Sequence, residues 1–255
     1  MNKNLISSRF EKHLKDYDKN ARVQKLMAEK LVTLCSKRKY KNILEIGCGT
    51  GLLTREIVKN IEFENYTAID IVGECEPYIK KIDSRVKFVA KDVEESLSYL
   101  TPTLSCSSGE GESMPDLIIS NAALQWLDNF EGTVNKLQNK LALEGEFIFS
   151  TFGKENFREI FYIMGTSLKY YSEQELKEMF PGADIYPQEI HIMSFKEPRE
   201  VLKHLQLTGV NGVDNKVWTK GDLKRFEDAY LSLCVKVPTL TYNPVYIKIT
   251  NPTVG

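Results

Sequence analysis

Ile43-Leu44-Glu45-Ile46-Gly47-Cys48-Gly49-Thr50-Gly51 is an apolar run that ends in three alternating glycines. A strand that stops in such a turn brings backbone close to a ligand, because no Cβ stands in the way. Further on, Tyr66-Thr67-Ala68-Ile69-Asp70 is a second apolar run that ends in a carboxylate. Placed at a strand end, that carboxylate can accept both hydroxyls of a ribose. Dinucleotide folds carry Gly or Ala three residues after the second glycine, where this chain has Leu52, which argues against NAD or FAD. No Lys-Ser or Lys-Thr pair follows the glycines, so a phosphate-cradling loop is unsupported. What remains is a nucleoside without a pyrophosphate.

Around this stretch, short apolar runs alternate with helical patterns. Strands are expected at 42–46, 66–70, 86–90, 116–120 and 146–151, with helical connections such as 51–60 and 131–141. That alternation implies a parallel sheet with right-handed crossovers, whose ligands collect beyond the carboxyl ends of the strands. Gly47, Asp70, Asp92 and Asn121 all fall at such ends. Residues 5–38 read as a helical prelude, with Val23, Met27, Leu31 and Leu34 at near-helical spacing. Residues 101–115 are dense in turn formers and read as a surface excursion. From about 153 amphipathic helices take over (154–164, 172–179, 198–207, 221–233), interrupted by a strand-like 185–195 and closed by 242–250.

The composition narrows the class. A chain of 255 residues with 42% hydrophobic side chains can bury a substantial core, and one elaborated domain over 1–255 is expected. Its parts are a helical cap (1–40), a binding core (41–152) and a region of lid helices and closing strands (153–255). A formal net charge of −1 argues against a broad nucleic-acid footprint. Five widely spaced cysteines (Cys35, Cys48, Cys75, Cys106, Cys234) form no ligand pattern, so free thiols in a reducing cytoplasm are expected. His13, His191 and His204 have no mutual spacing that suggests a metal. The first residues lack the apolar core of a signal peptide, and no run reaches the roughly 20 apolar residues of a membrane span.

Glu45-Ile46-Gly47-Cys48-Gly49-Thr50-Gly51 with Asp70 resembles the first motif of class I S-adenosylmethionine-dependent methyltransferases. The resemblance implies an α/β, Rossmann-like, mostly parallel sheet with an antiparallel edge pair, N-terminal helices and a helical lid. Further blocks are Arg9-Phe10, His13, Tyr17-Asp18, Ala21 and Val23-Gln24, then Ser120-Asn121-Ala122-Ala123-Leu124-Gln125-Trp126-Leu127-Asp128. They continue with Thr151-Phe152-Gly153, Phe157-Arg158-Glu159, Leu202-Lys203-His204-Leu205, Thr208-Gly209-Val210-Asn211 and Leu240-Thr241-Tyr242-Asn243. Through these blocks most of the chain is similar to the malonyl-acyl carrier protein O-methyltransferases of the biotin pathway. The excursion at 101–115 and Lys154-Glu155-Asn156 depart from the usual loops of that family.

The resemblance implies S-adenosylmethionine as cofactor, held by Gln24, Glu45, Gly47, Cys48, Gly49, Gly51, Asp70, Ile71, Asp92, Val93, Asn121 and Ala122. Asp92 reads equally as a helix cap before Val93-Glu94-Glu95, and Leu124 and Trp126 read as core. The acceptor it implies is the free carboxyl of a malonyl thioester, carried by acyl carrier protein or coenzyme A. Such a carboxyl has a pKa near ~4 and is ionised at pH 7, so in-line displacement on a sulfonium needs no catalytic base. The absence of a convincing His or Cys dyad agrees with this. A cation or a tyrosine hydroxyl must still recognise the carboxylate, and Tyr17, Arg158 and Lys203 are the candidates. Lys154, Arg158, Lys169, Arg199 and Lys203 are candidates to dock an acidic carrier, although solvating a helix face is the commoner fate of charges such as Arg199 and Lys203. A monomer is expected, with no nucleic acid and no membrane as partner. Two alternatives keep the fold: methylation of a free polycarboxylate of the aconitate type, and a catalytically silent cofactor-binding protein.

Overall fold

The computed structural model describes residues 3–97, 114–186, 190–209, 218–234 and 237–252. Most of the surface excursion (101–113) and Val210 and Asn211 of the Thr-Gly-Val-Asn block lie outside them. The helical prelude is two helices, α1 (Lys3–Asn20) and α2 (Arg22–Leu34), which break at Ala21 (φ −81°, ψ 46°). Then follow β1 (Lys39–Ile46), α3 (Leu52–Asn60), β2 (Glu62–Asp70), α4 (Glu76–Ile82), β3 (Val86–Ala90) and α5 (Val93–Ser96). The chain continues through β4 (Leu117–Asn121), α6 (Phe130–Gln138), β5 (Glu146–Phe152), α7 (Arg158–Met164) and α8 (Glu173–Met179). It closes with β6 (Asp184–Tyr186), β7 (His191–Ser194), α9 (Pro198–Leu207), α10 (Lys220–Leu233), β8 (Thr239–Tyr242) and β9 (Pro244–Thr250).

Seven strands form one sheet in the order β3-β2-β1-β4-β5-β9-β6. The first five are parallel, and β9 runs antiparallel to both β5 and β6. This is the Rossmann-like arrangement with an antiparallel edge pair. The strand-like stretches 185–195 and 242–250 each split in two, because β7 leaves the main sheet to pair with β8. Pro244 opens β9 and has no N–H to donate, while the Asn243 carbonyl before it accepts from Gly153 at 2.8 Å.

The central strands are buried on both faces, as crossover helices require; all seven residues of β5 are buried. Alternate side chains of β5 enter opposite layers. Ile148 and Phe152 meet Val23, Met27 and Leu31 of α2, while Phe147 and Phe149 meet Phe130, Val134 and Leu137 of α6. The 3- and 4-residue spacing on both helices is what turns one apolar stripe toward the sheet. Lys248 of β9 reaches Glu146 of β5 at 2.8 Å and also donates to the Leu34 carbonyl at 3.0 Å. Glu146 accepts from the Tyr40 hydroxyl at 2.5 Å, so this buried ion pair leaves neither charge unpartnered. Among the described residues no helix is long and apolar enough to cross a membrane, and no three His, Cys, Asp or Glu side chains are grouped to hold a metal.

Candidate functional site

The carboxyl ends of β1 to β5 open into one cavity, roofed by α1 and by the end of α9. Its floor is the glycine turn. The N–H groups of Gly47 and Cys48 donate to the Ile69 carbonyl at 2.8 and 3.1 Å, which ties the turn to β2. Gly47 has φ +70°, and a Cβ there would lie 2.3 Å from the Ala123 Cβ. A Cβ on Gly49 would press on the Phe10 ring at 3.2 Å. Gly51, placed with these in the sequence reading, does not line the cavity. It starts α3 with φ +83°, and a Cβ there would meet Ile82 at 2.3 Å and Ile79 at 3.1 Å. Its task is to let α3 pack against α4.

The acidic groups stand in a row across the sheet. Asp70 at the end of β2 accepts the Gly49 N–H at 2.7 Å and the Val72 N–H at 2.9 Å. Burial pushes its pKa up, and those N–H groups with that of Ile71 oppose the shift. A carboxylate has about four acceptor sites, so the backbone bonds leave capacity for a ligand's hydroxyls. Glu45 is 1% exposed and accepts from Thr54 at 2.7 Å and Tyr66 at 2.5 Å. Burial nonetheless raises its pKa to about 7. Asp92 caps α5 by accepting the Glu94 N–H at 2.9 Å and also pairs with Lys3 of α1 at 2.6 Å. The cap reading is met, and Asp92 lines the cavity as well. Ile71 and Val93 flank it there.

Gln24, on α2, is 4% exposed, and its side-chain oxygen is buried with no hydrogen-bond partner. The side-chain oxygen of Gln125 is in the same condition, while its amide donates to the Ala122 carbonyl at 2.6 Å. Both residues line the cavity. Asn121 lines it too, but its side chain joins neighbouring elements: it donates to the Gln24 carbonyl at 2.9 Å and accepts from Ser150 at 2.8 Å. Ala122 adopts φ +50°, and Phe157 across the cavity φ +55°. Such left-handed conformations in residues with a Cβ cost of order 1 to 3 kcal/mol and gather at ligand sites. Burial pushes the Cys48 thiol up, with Asp70 and Glu45 adding to the shift, so it stays protonated and is no nucleophile.

Tyr17 of α1 lines the cavity and meets Phe10 edge-on at 4.9 Å. Burial, then the charges of Asp18 and Asp70, push its pKa well up, which makes its hydroxyl a donor rather than a base. Asp18 beside it accepts from Thr50 at 2.5 Å and Arg55 at 2.6 Å, pinning α1 to the glycine turn.

Arg158 and Lys203, read as possible partners of an acceptor carboxylate, do not line this cavity. Arg158 is at the first turn of α7, paired with Glu155 at 3.3 Å, on a separate cleft with Tyr162 and Leu233. Lys203 is exposed. In its helix, Val201, His204 and Leu205 take the buried stripe, and position 203 falls on the opposite face. The other basic lid residues have local partners: Lys154 with Glu175 at 2.8 Å, Arg199 with Glu227, and Lys169 over the Tyr171 ring at 5.1 Å. The charges of Lys154 and Arg199 are thus matched by carboxylates at the surface, which the sequence alone did not reveal.

Sequence reasoning also passed over several lining residues, namely Phe10 and Phe157 as walls, Leu168, and Tyr170, which follows α7 in a stretch without regular structure. His204 was set aside as an ordinary histidine. It is 6% exposed and reaches the Tyr242 hydroxyl at 2.7 Å. Burial lowers its pKa to about 4, so it is neutral at pH 7. Its helical spacing with Val201 and Leu205 was the signal that it faces inward.

A family model described as a methyltransferase domain matches residues 17–189. A malonyl-[acyl-carrier protein] O-methyltransferase of Chlorobium luteolum is 36% identical over 259 residues, covering 96% of this chain and 94% of that protein. One of Bacteroides thetaiotaomicron is 33% identical over 272 residues, covering 97% of each. Among solved structures, the YcgJ protein from Bacillus subtilis superposes with a TM-score of 0.59 at 10% identity, covering 88% of this chain and 97% of that one. The N-methyltransferase NodS from Bradyrhizobium japonicum, in complex with S-adenosyl-L-homocysteine, gives 0.50 at 13% identity, covering 97% and 99%. At these identities the structural likeness concerns the fold.

Proposed function

Since the chain belongs to the malonyl-[acyl-carrier protein] O-methyltransferase family, we propose that its cavity holds S-adenosylmethionine and a malonyl thioester, whose free carboxyl is methylated. In the biotin pathway that such enzymes serve, the methyl ester lets fatty acid synthesis extend the malonyl unit toward the pimeloyl moiety. The observation that carries this reading is the acceptor-rich floor of the cavity. Asp70, Glu45, Gln24 and Gln125 all line it, and the glycine turn beneath allows close approach, since a Cβ on Gly47 would meet Ala123 at 2.3 Å and one on Gly49 would press on the Phe10 ring. These acceptors fit the ammonium and ribose hydroxyls of a nucleoside cofactor that carries a sulfonium. The residues proposed to hold the cofactor are Gln24, Glu45, Gly47, Cys48, Gly49, Asp70, Ile71, Asp92, Val93, Asn121 and Ala122, with Gln125 added. Gly51 supports them from behind.

When bound, the cofactor supplies an electrophilic methyl group on a positively charged sulfur. The chain's own part is to bind, orient and keep water away. Tyr17, on the helix α1 that Asp18 pins to the glycine turn, is the residue proposed to face both ligands, acting as a hydroxyl donor. The Phe10, Phe152, Phe157 and Leu168 walls exclude water from a carboxylate that is already ionised. Orientation of this kind supplies roughly 7 to 11 kcal/mol of a barrier, without a base. An acidic acyl carrier protein is the proposed carrier, the cytoplasm the proposed compartment, and a monomer the proposed state. The test is transfer of label from methyl-labelled cofactor to malonyl-carrier protein, malonyl-coenzyme A and free dicarboxylates in parallel. Product on the thioesters with none on free acids is expected; label on a free polycarboxylate alone would overturn the proposal.

A further inference from the structure

The order of strands sets a direction along the cavity. Asp92 and Asp70 stand at the β3 and β2 end, the glycine turn follows β1, and beyond β4 and β5 the walls are Phe152, Phe157, Leu168, Tyr170 and Thr208. Among the described lining residues the cations are Lys3 and Lys91, both at the Asp92 end. A carboxylate entering from the β5 side therefore meets neutral donors. That suits a nucleophile, because an ammonium or guanidinium bound to it would hold back the charge that has to attack.

One such donor is set up by the loop after β5. Asn156, 1% exposed, accepts the Asn243 N–H on its Oδ1 at 3.1 Å and donates its amide to the Tyr170 hydroxyl oxygen at 2.9 Å. The peptide donor fixes which way the Asn156 amide faces, and an amide nitrogen cannot accept. The Tyr170 oxygen is therefore the acceptor in that bond, and its own O–H is aimed elsewhere. Among the described residues no acceptor receives it, and Tyr170 lines the cavity. Burial pushes its pKa well above 10, so the proton is retained at neutral pH. The loop is braced by the Phe157 N–H on the Thr241 carbonyl at 2.7 Å and by Gly153 on Asn243 at 2.8 Å.

We propose that Tyr170 recognises the malonyl group, its O–H donating to the carboxylate oxygen that does not attack, and that Asn156 is the positioning residue that sets the direction of that proton. The inference rests on the methyl-transfer reading above. Tyr170→Phe removes the donor. Asn156→Asp is near-isosteric and reverses the polarity, since the introduced carboxylate accepts the Tyr170 O–H. Each change is expected to lower kcat/KM for malonyl-coenzyme A by about 10- to 100-fold, the scale of one hydrogen bond to a charged group. Affinity for S-adenosylhomocysteine by calorimetry should stay within about twofold. The double variant is expected to be no worse than the poorer single one, because both act on one proton. Activity of Asn156→Asp, and not of Tyr170→Phe, should rise as the pH is lowered, when the introduced carboxyl regains a proton and donates again. A parent that methylates no malonyl thioester would overturn both this inference and the reading beneath it. With an active parent, full kcat/KM in Tyr170→Phe, multiplying losses in the double variant, or an Asn156→Asp pH profile parallel to the parent's would overturn this one alone.

Discussion

Replacing Glu45 by Gln tests whether the cavity floor is built for a cation rather than for stability. In the folded chain the Glu45 carboxyl is raised from 4.5 to about 7, first by burial and against the pull of Tyr66 and Thr54. Below pH 4.5 folded and unfolded chains both carry the proton, and the carboxyl costs nothing. Between the two values the unfolded chain ionises first, so stability falls as the pH rises, and above pH 7 the full cost is present. At about 1.4 kcal/mol per pH unit, that cost reaches about 3 kcal/mol. Gln offers the same oxygen to Tyr66 and Thr54 and has no charge to bury. Urea unfolding from pH 4.5 to 8.5 should show the parent losing about 3 kcal/mol relative to Glu45→Gln across that window. S-adenosylmethionine binding to the parent near pH 7 should release a proton as the carboxyl ionises beside a cation, detected by calorimetry in buffers of different ionisation enthalpy; the variant should release none. Parallel pH–stability curves for the two proteins would refute the argument.

Gly47 and Gly51 divide by mechanism. Gly47→Ala should lower S-adenosylhomocysteine affinity by about tenfold or more, about 1.4 kcal/mol, because its Cβ would stand 2.3 Å from the Ala123 Cβ at φ +70°. Gly51→Ala should instead cost about 1 to 2 kcal/mol of stability for a left-handed non-glycine, measured by urea unfolding, with affinity kept within a few fold. Asp70→Ala should weaken the cofactor by ~1.5 to 3 kcal/mol and lower the thermal midpoint as well, since Gly49 and Val72 lose their acceptor. Arg158→Ala and Lys203→Ala should leave kcat for malonyl-coenzyme A within about twofold, because neither side chain lines the cavity; a hundredfold loss in either would bring a cation back to the acceptor.

The parallel half of the sheet was legible because its strands are largely apolar runs with Gly, Asp or Asn at or just past their ends, and local pattern decides such elements. The observed β1, β2 and β5 begin or end a few residues outside the expected spans, as element ends do. The closing half was less legible. Its strands divide where Pro244 cannot donate and where β7 finds β8 rather than the main sheet, and strand partners of that kind are long-range facts. At the site, glycines and carboxylates announced themselves by spacing. Tyr170 did not, since its meaning comes from Asn156, whose orientation comes in turn from the Asn243 N–H of a distant segment. Arg158 and Lys203 lie away from the cavity, which was hidden for the complementary reason: charge is visible in a sequence, whereas the direction in which a helix face carries it is not.

The placement of β9 bears on how the chain is made. Residues 244–250 lie between β5 and β6 and supply the main-sheet partner of each on that side. During synthesis β5 emerges with one edge bare and β6 with no strand beside it, and both wait while α9 and α10 are added. A strand edge left open in this way is a template for another chain. The Rossmann half can collapse early, while the buried Lys248–Glu146 pair forms only when β9 arrives. Until then Glu146 is a carboxylate near the core without its cation. Slow or interrupted translation past β8 is thus the moment at which this protein is most exposed to aggregation, and changes that weaken β9 should reduce soluble yield more than they reduce the stability of molecules that have already folded.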